Sequence, residues 1–338
     1  MLYICWSYHH ILIAIERVLS KKQDADIIVV FRNGNPDPAI LDRIVSKKVF
    51  KNVYSIQEQE CNWEISKKKV ITYFYARYIG MRKHFDFYFP VDLSEYKEIY
   101  TFYDSSVIGA YLNAKKIPYH IIEDAKKAYT TDVLKRVEIS TRKLIYEPNL
   151  LIRILKKIGY IIPVFGESKH CIDIEVDSDE NLYRTKYNKD KFVVIPTKNY
   201  EKALSQNDIR NIIEIFSNGL DIDIAKKYLL ILTEPLKANG VVDSYDDQKK
   251  VYQYLLEELD DSPNIIMIKP HPRDEFDYSS IIENKRVVLL DKKFPSEILS
   301  LIPDECFEHF FTIASSAIYS FPKEKSTIKG FEYIKTIL

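Results

Sequence analysis

The residue types best suited to chemistry on an anion stand together in Lys269-Pro270-His271-Pro272-Arg273. One titratable imidazole lies between two cations, a set that suits a phosphate. Pro270 and Pro272 forbid a helix and fix the backbone on both sides of His271. The four apolar residues before them, Ile265 to Ile268, read as a buried parallel strand. A stiff loop at the carboxyl end of such a strand is where open α/β sheets bind ligands. A lone His-Pro would read as a proline-stiffened surface turn. The strand in front of it and the motifs below favour a site.

Three further motifs carry chemistry, each beside a structural alternative. Glu123-Asp124 follows the apolar run Ile121-Ile122. Paired carboxylates there can raise one another's pKa and supply a general base; equally, Asp124 can cap a helix. Ser315-Ser316 follows a strand at a helix start, where hydroxyls and backbone N–H groups can hold a phosphate or merely cap. Glu297, in Pro295-Ser296-Glu297, can accept both hydroxyls of a ribose or sit on a helix dipole. Strand-Lys-Pro-His-Pro, strand-Pro-Ser-Glu and strand-Ser-Ser recur in one half of the chain. Their residues would line one edge of one sheet.

The elements that must position these residues alternate. Strands are expected at 2–5, 27–31, 97–103, 119–123, 192–195, 228–233, 265–268, 287–290 and 310–314. Helices are expected at 9–20, capped by Ser7, and at 38–46, 64–83, 206–216, 248–259 and 295–301. Residues 126–162 read as helical and connecting. Such alternation implies right-handed crossovers and parallel sheets. Around 167–191 periodicity is weak and Asp173, Glu175, Asp177, Asp179 and Glu180 crowd together, which reads as a linker. The expected architecture is α/β: a first domain over 1–170, a linker over 171–190 and a second domain over 191–338. Two α/β sheets joined by that linker, with a cleft between them, are the expected arrangement, the last helix packing back on the first domain.

Composition bounds the partners. With 338 residues, two domains are the natural prior. Formal net charge is zero, so no global field draws in nucleic acid. Lys67-Lys68-Lys69 and Lys126-Lys127 read as solvated faces. Only 8 glycines occur, and no Gly-rich phosphate loop is present, so a phosphate must be held by side chains and helix amino ends. Cys5, Cys61, Cys171 and Cys306 are far apart, which argues against a zinc site or redox pair and fits a reducing cytoplasm. No run has membrane-spanning length and the start lacks signal-peptide character. No paired Asp-x-Asp follows a strand in the second half, so metal independence is expected, with no cofactor.

In their order, these motifs resemble the bacterial sialyltransferases of glycosyltransferase family 52, the lipooligosaccharide and capsule type. Cys5-Trp6-Ser7-Tyr8-His9-His10-Ile11-Leu12 is similar to the family's opening Cys-x-Thr-Pro-Tyr-His-Leu-Leu. The likeness continues through Ile122-Glu123-Asp124, Leu232-Thr233-Glu234-Pro235-Leu236, Lys269-Pro270-His271-Pro272-Arg273, Pro295-Ser296-Glu297 and Ser315-Ser316. It covers most of the chain. The His-Pro and Ser-Ser pair in order is its most specific part.

The resemblance implies a GT-B-like fold of two Rossmann-like domains with a cleft between them, a CMP-sialic acid donor and inverting, metal-free transfer to a glycan ending in galactose. His271 is then the acid or electrostatic stabiliser. Thr233, Lys269, Pro270, Arg273, Glu297, Ser315 and Ser316 bind the nucleotide, while Ser7 and His10 bind the acceptor. Asp124 is the first choice of base. Asp243 is its competitor, because family members can carry an Asp after the Pro where Leu236 stands here. Tyr8, His9 and Ala125 depart from the family's usual Pro, Tyr and Gly. Two alternatives stay open: another GT-B envelope-polymer transferase with a different nucleotide donor, or a degenerate nucleotide- or sugar-binding partner protein, which Ala125 suggests. Peripheral attachment at the inner face of the membrane and a homodimer are both compatible with the sequence.

Overall fold

The computed structural model describes residues 1–32, 36–58, 89–102, 104–124, 128–130, 165–217, 226–282 and 286–338. The expected helices at 64–83 and 126–162 lie outside them, as does Ala125. The chain forms two compact units, Met1–Leu204 and Ser205–Leu338.

The first unit is built on a parallel sheet of β1 (Leu2–Cys5), β2 (Asp26–Phe31), β3 (Val53–Gln57), β4 (Ile99–Thr101), β5 (Tyr119–Ile122), β6 (Cys171–Val176) and β7 (Phe192–Val194). Its order is β3-β2-β1-β4-β5-β6-β7. The neighbouring pairs are all parallel. Helices α1 (Tyr8–Lys21), α2 (Ala39–Lys47), α3 (Val107–Lys115) and α4 (Lys198–Glu201) accompany it. β1 and β2 are buried along their whole length, as continuous apolar runs in a doubly covered sheet must be. Leu2, Ile4, Ile28, Val30, Ile121 and Ile174 fill one core. The order reverses between β1 and β4, so the carboxyl ends Cys5 and Thr101 flank a switch point, the usual ligand crevice of this topology.

The second unit repeats the plan with β8 (Tyr228–Leu232), β9 (Ile265–Lys269), β10 (Val287–Leu289), β11 (Phe307–Thr312) and β12 (Ser326–Ile328). The order is β10-β9-β8-β11-β12, again all parallel. Its helices are α5 (Gln206–Phe216), α6 (Tyr245–Leu259), α7 (Ser296–Leu299) and α8 (Gly330–Lys335). The unit opens on a capping box: Ser205 Oγ accepts from Asp208 N–H, and the Asp208 carboxylate accepts from Ser205 N–H. Here the switch point lies between β8 and β11.

Two expectations are corrected. The segment expected as a linker at 171–190 contains β6, an inner strand of the first sheet, and β7 after it belongs to that sheet too. The boundary falls at Ser205. The physical reason is that the charges are paired: Asp173 bonds the His120 ring at 2.9 Å, and Glu175 meets buried Arg17. A strand reads as solvated when its partners lie on other elements. The last helix, α8, packs Ile334 into the core of its own unit, with Tyr333 and Ile337 against that core.

Candidate functional site

In the second unit the loops after β8, β9, β10 and β11 all leave the same edge of the parallel sheet. Thr233 follows β8 directly, and its Oγ1 accepts the backbone N–H of His271 at 3.1 Å. Thr233 N–H in turn donates to Lys269 O at 3.1 Å. The two neighbouring loops are therefore stitched to each other at the carboxyl edge of the sheet, beside the switch point. Asp274 anchors the far side of the His-Pro loop. Its buried carboxylate accepts from Gln248 Nε2 at 2.9 Å, Tyr278 Oη at 2.7 Å and Phe276 N–H at 3.1 Å. Its own N–H closes the turn on His271 O at 2.9 Å.

His271 is half-buried. Arg273 N–H donates to its Nδ1 at 3.2 Å, so Nδ1 carries a lone pair and the ring proton sits on Nε2. Burial holds the ring below the ordinary imidazole pKa; Arg273 and Lys269 add to this and Glu234 works against it. Near neutral pH His271 is thus a neutral ring with one N–H donor. Among the described residues that donor has no hydrogen-bond partner.

Lys269 does not stand beside His271 as a free cation. It is 4% exposed, and its Nζ donates to Pro270 O at 2.5 Å and Lys292 O at 3.0 Å. Burial pushes its pKa down to about 8. It ties the β9 loop to the β10 loop and is taken out of direct nucleotide binding. Arg273 is exposed, as are Glu297 in the first turn of α7 and Asp243 before α6. Ser315 is buried, and its Oγ accepts Ala317 N–H at 3.4 Å, which is the capping alternative. Its N–H donates to Thr312 Oγ1 at 2.9 Å, and that hydroxyl donates to Leu232 O at 2.8 Å, fastening β11 to β8. The Ser316 side chain is outside the described set.

In the first unit a second group forms at the switch-point edge. Asp124 follows β5, and its Oδ1 accepts from His10 Nε2 on α1. His10 is 1% exposed whereas the Asp124 side chain is 50% exposed. Trp6 N–H donates to His10 Nδ1 at 3.1 Å. Burial holds the His10 ring below its ordinary pKa, against the Asp124 hydrogen bond. Burial works upward on Asp124 and is the largest single influence, but the His10 hydrogen bond together with the electrostatic pull of His10 and His9 keeps the carboxyl below its usual range. The pair is a neutral imidazole donating to an ionised carboxylate. Glu123 takes the other direction: it is buried, its Oε2 accepts Asp177 N–H at 3.1 Å, and burial raises its pKa.

Two sequence assignments change with this geometry. A ring as buried as His10 meets the carboxylate rather than an acceptor sugar. Ser7 uses its hydroxyl as the cap of α1, accepting His10 N–H at 3.2 Å. Phe102, stacked on His10 at 3.9 Å and 4°, and Trp6 N–H went unread. No local signal marks either: Phe102 is far from His10 in the chain, and the Trp6 amide, four residues away, is a backbone group that residue type does not announce. Among the described residues no group of three or more His, Cys, Asp or Glu could hold a metal ion. No described helix is long and apolar enough to cross a membrane.

The model of the family described as "Glycosyltransferase family 52" matches residues 43–336. A Haemophilus influenzae (strain Rd) protein described as "Uncharacterized protein" is 26% identical over 217 residues, 64% of this chain and 63% of that protein. Among solved structures, the GT-B domain (residues 113–497) of a Photobacterium damselae sialyltransferase aligns with TM-score 0.53 and 13% identity, covering 96% of this chain and 89% of the other. A Photobacterium 2,6-sialyltransferase, solved in a ternary complex with donor product CMP and acceptor substrate lactose, aligns with TM-score 0.52 and 10% identity, covering 96% and 70%. At such identities the likeness is one of fold.

Proposed function

Because the chain belongs to glycosyltransferase family 52, we propose that it is an inverting, metal-independent sialyltransferase. It moves sialic acid from CMP-sialic acid to a terminal galactoside of a bacterial surface glycan, capsule or lipooligosaccharide, and works in the cytoplasm. One observation carries the reading. His271, whose Nε2–H has no hydrogen-bond partner among the described residues, is locked beside Thr233 at the carboxyl edge of the second sheet. A parallel sheet of this order takes its ligand at that edge. The two Photobacterium sialyltransferases share the GT-B fold, and CMP with lactose is the ligand pair of one of them.

The chemistry follows from the residues. The acceptor hydroxyl oxygen attacks the anomeric carbon from the face opposite the phosphate, through an oxocarbenium-like state. The bond to the CMP phosphate breaks, and its electron pair leaves with the phosphate. Asp124 takes the hydroxyl proton. His271 stabilises the departing phosphate by a hydrogen bond from Nε2. It does not hand that proton over, because a neutral ring would become an imidazolate. Arg273, Glu297 and the turn at Ser315 and Ser316 complete the nucleotide side.

The test is a thermal-shift series with CMP, UMP, GDP and CMP-sialic acid, followed by turnover of CMP-sialic acid with lactose. CMP and CMP-sialic acid should raise the melting temperature, since a ligand of the folded state stabilises it. Labelled sialyl-lactose should then accumulate in the presence of chelator. A shift with UMP or GDP alone would replace the donor, and binding without turnover would leave only a binding protein.

A further inference from the structure

We infer that His10 is a positioning residue for Asp124, held in a single tautomer by a main-chain amide. The inference rests on the reading of Asp124 as the base. The other polar atoms of His10 itself are committed. Ser7 Oγ accepts the His10 backbone N–H, Cys5 Sγ–H donates to the His10 carbonyl at 3.5 Å, and Trp6 N–H occupies Nδ1. The ring lies flat on Phe102 and meets the Trp6 ring edge-on, with centroids 6.3 Å apart and planes at 85°. Nε2–H is therefore the one donor left, and it points to Asp124 Oδ1.

Asp124 is restrained on one oxygen. Its Oδ2 has no hydrogen-bond partner among the described residues, while half of its side chain meets solvent. That is how a general base should be presented: one oxygen fixed in direction, the other ready for a hydroxyl. The titratable neighbours do not compete for the role. His9 on α1 adds a weak attraction, Glu123 is turned to Asp177 N–H, and Tyr129 stays protonated because burial raises its pKa. His10 touches no substrate at 1% exposure. It cannot relay a proton either, because Nδ1 already accepts from the backbone. Its two effects are to aim Asp124 and to keep it ionised.

Three variants and one spectrum test this. In 15N NMR of the full-length protein at pH 7, His10 should show a protonated Nε2 and an unprotonated Nδ1. An Nδ1–H tautomer or an imidazolium would overturn the inference without any assay. His10→Phe keeps the stacking on Phe102 and removes the donor. Its acidic limb of kcat against pH, for transfer to lactose, should move up by ~1–2 pH units, the worth of one charge-assisted hydrogen bond. Its kcat at neutral pH should fall ~10–100-fold, as when an orienting partner is lost. KM for CMP-sialic acid should hold. His10→Gln, with an amide N–H for Asp124, should recover most of both. A wild-type pH profile in His10→Phe, with Asp124→Asn inactive, overturns the positioning role alone. Full activity in Asp124→Asn overturns the base reading and the inference with it.

Discussion

At His271 the neighbouring backbone decides the chemistry. Arg273 N–H on Nδ1 leaves the ring able to donate only through Nε2. His271→Ala should therefore lower transfer ~10²–10³-fold, the usual loss for one preorganised donor to developing charge. The melting temperature should stay within a few degrees, because Asp274 still holds the loop on Gln248 and Tyr278. Steady-state kinetics beside a thermal melt decides it; near-normal turnover removes the loop from the mechanism. The sequence placed Lys269, Pro270 and Arg273 with His271 as one anion-binding set. It showed the pentapeptide and its stiffness but not the direction of the lysine. Lys269 turns inward to two carbonyls, and a cation next to a histidine in sequence carries no sign of that.

At the scale of elements, pairing across the fold is what local reading missed. β6 looked like a charged linker because Arg17 lies on α1, far away in sequence. Arg17 is 1% exposed, bonded to Glu175 and stacked over the Tyr100 and Tyr200 rings at 4.9 and 5.1 Å. Glu175→Ala leaves that guanidinium buried without its counter-ion. The expected loss is ~3–5 kcal/mol, the scale for breaking a buried pair, read as a lower denaturant midpoint. An unchanged midpoint would mean the two tyrosines alone suffice.

Lys269 makes a second prediction at this scale. Its folded pKa is about 8, below the ~10.4 of an unfolded lysine. Between those values the unfolded chain binds more protons, so stability rises with pH in that window. Below about 8 both states are charged and the full penalty of burying the cation applies. Lys269→Met should abolish this rise. Denaturant midpoints from pH 7 to 10, compared between wild type and variant, measure it. Parallel midpoint curves for the two proteins would contradict it.

At the scale of the molecule, two doubly wound parallel sheets were legible from strand-helix alternation, because β-branched runs such as Ile27 to Phe31 announce buried parallel strands. The boundary was not. Charge density at 173–180 imitates a linker, while the true change of unit at Ser205 is marked only by a helix cap. Short edge strands such as β12, Ser-Thr-Ile, carry too few residues to show a period. If each unit holds its own substrate, CMP should slow amide exchange at Thr233, His271 and Ser315. The amides of Trp6 and His10 should be unaffected. Hydrogen-exchange mass spectrometry with and without CMP reads both edges at once, and protection confined to the first unit would reverse the assignment.

The Trp6 amide that fixes the His10 ring belongs to the main chain, and every amino acid but proline brings the same N–H. The orientation of the carboxylate is therefore insulated from drift in the identity of residue 6. A lineage could exchange the indole for almost any side chain and inherit the lock unchanged. Proline is the single replacement that would erase the lock by deleting its atom.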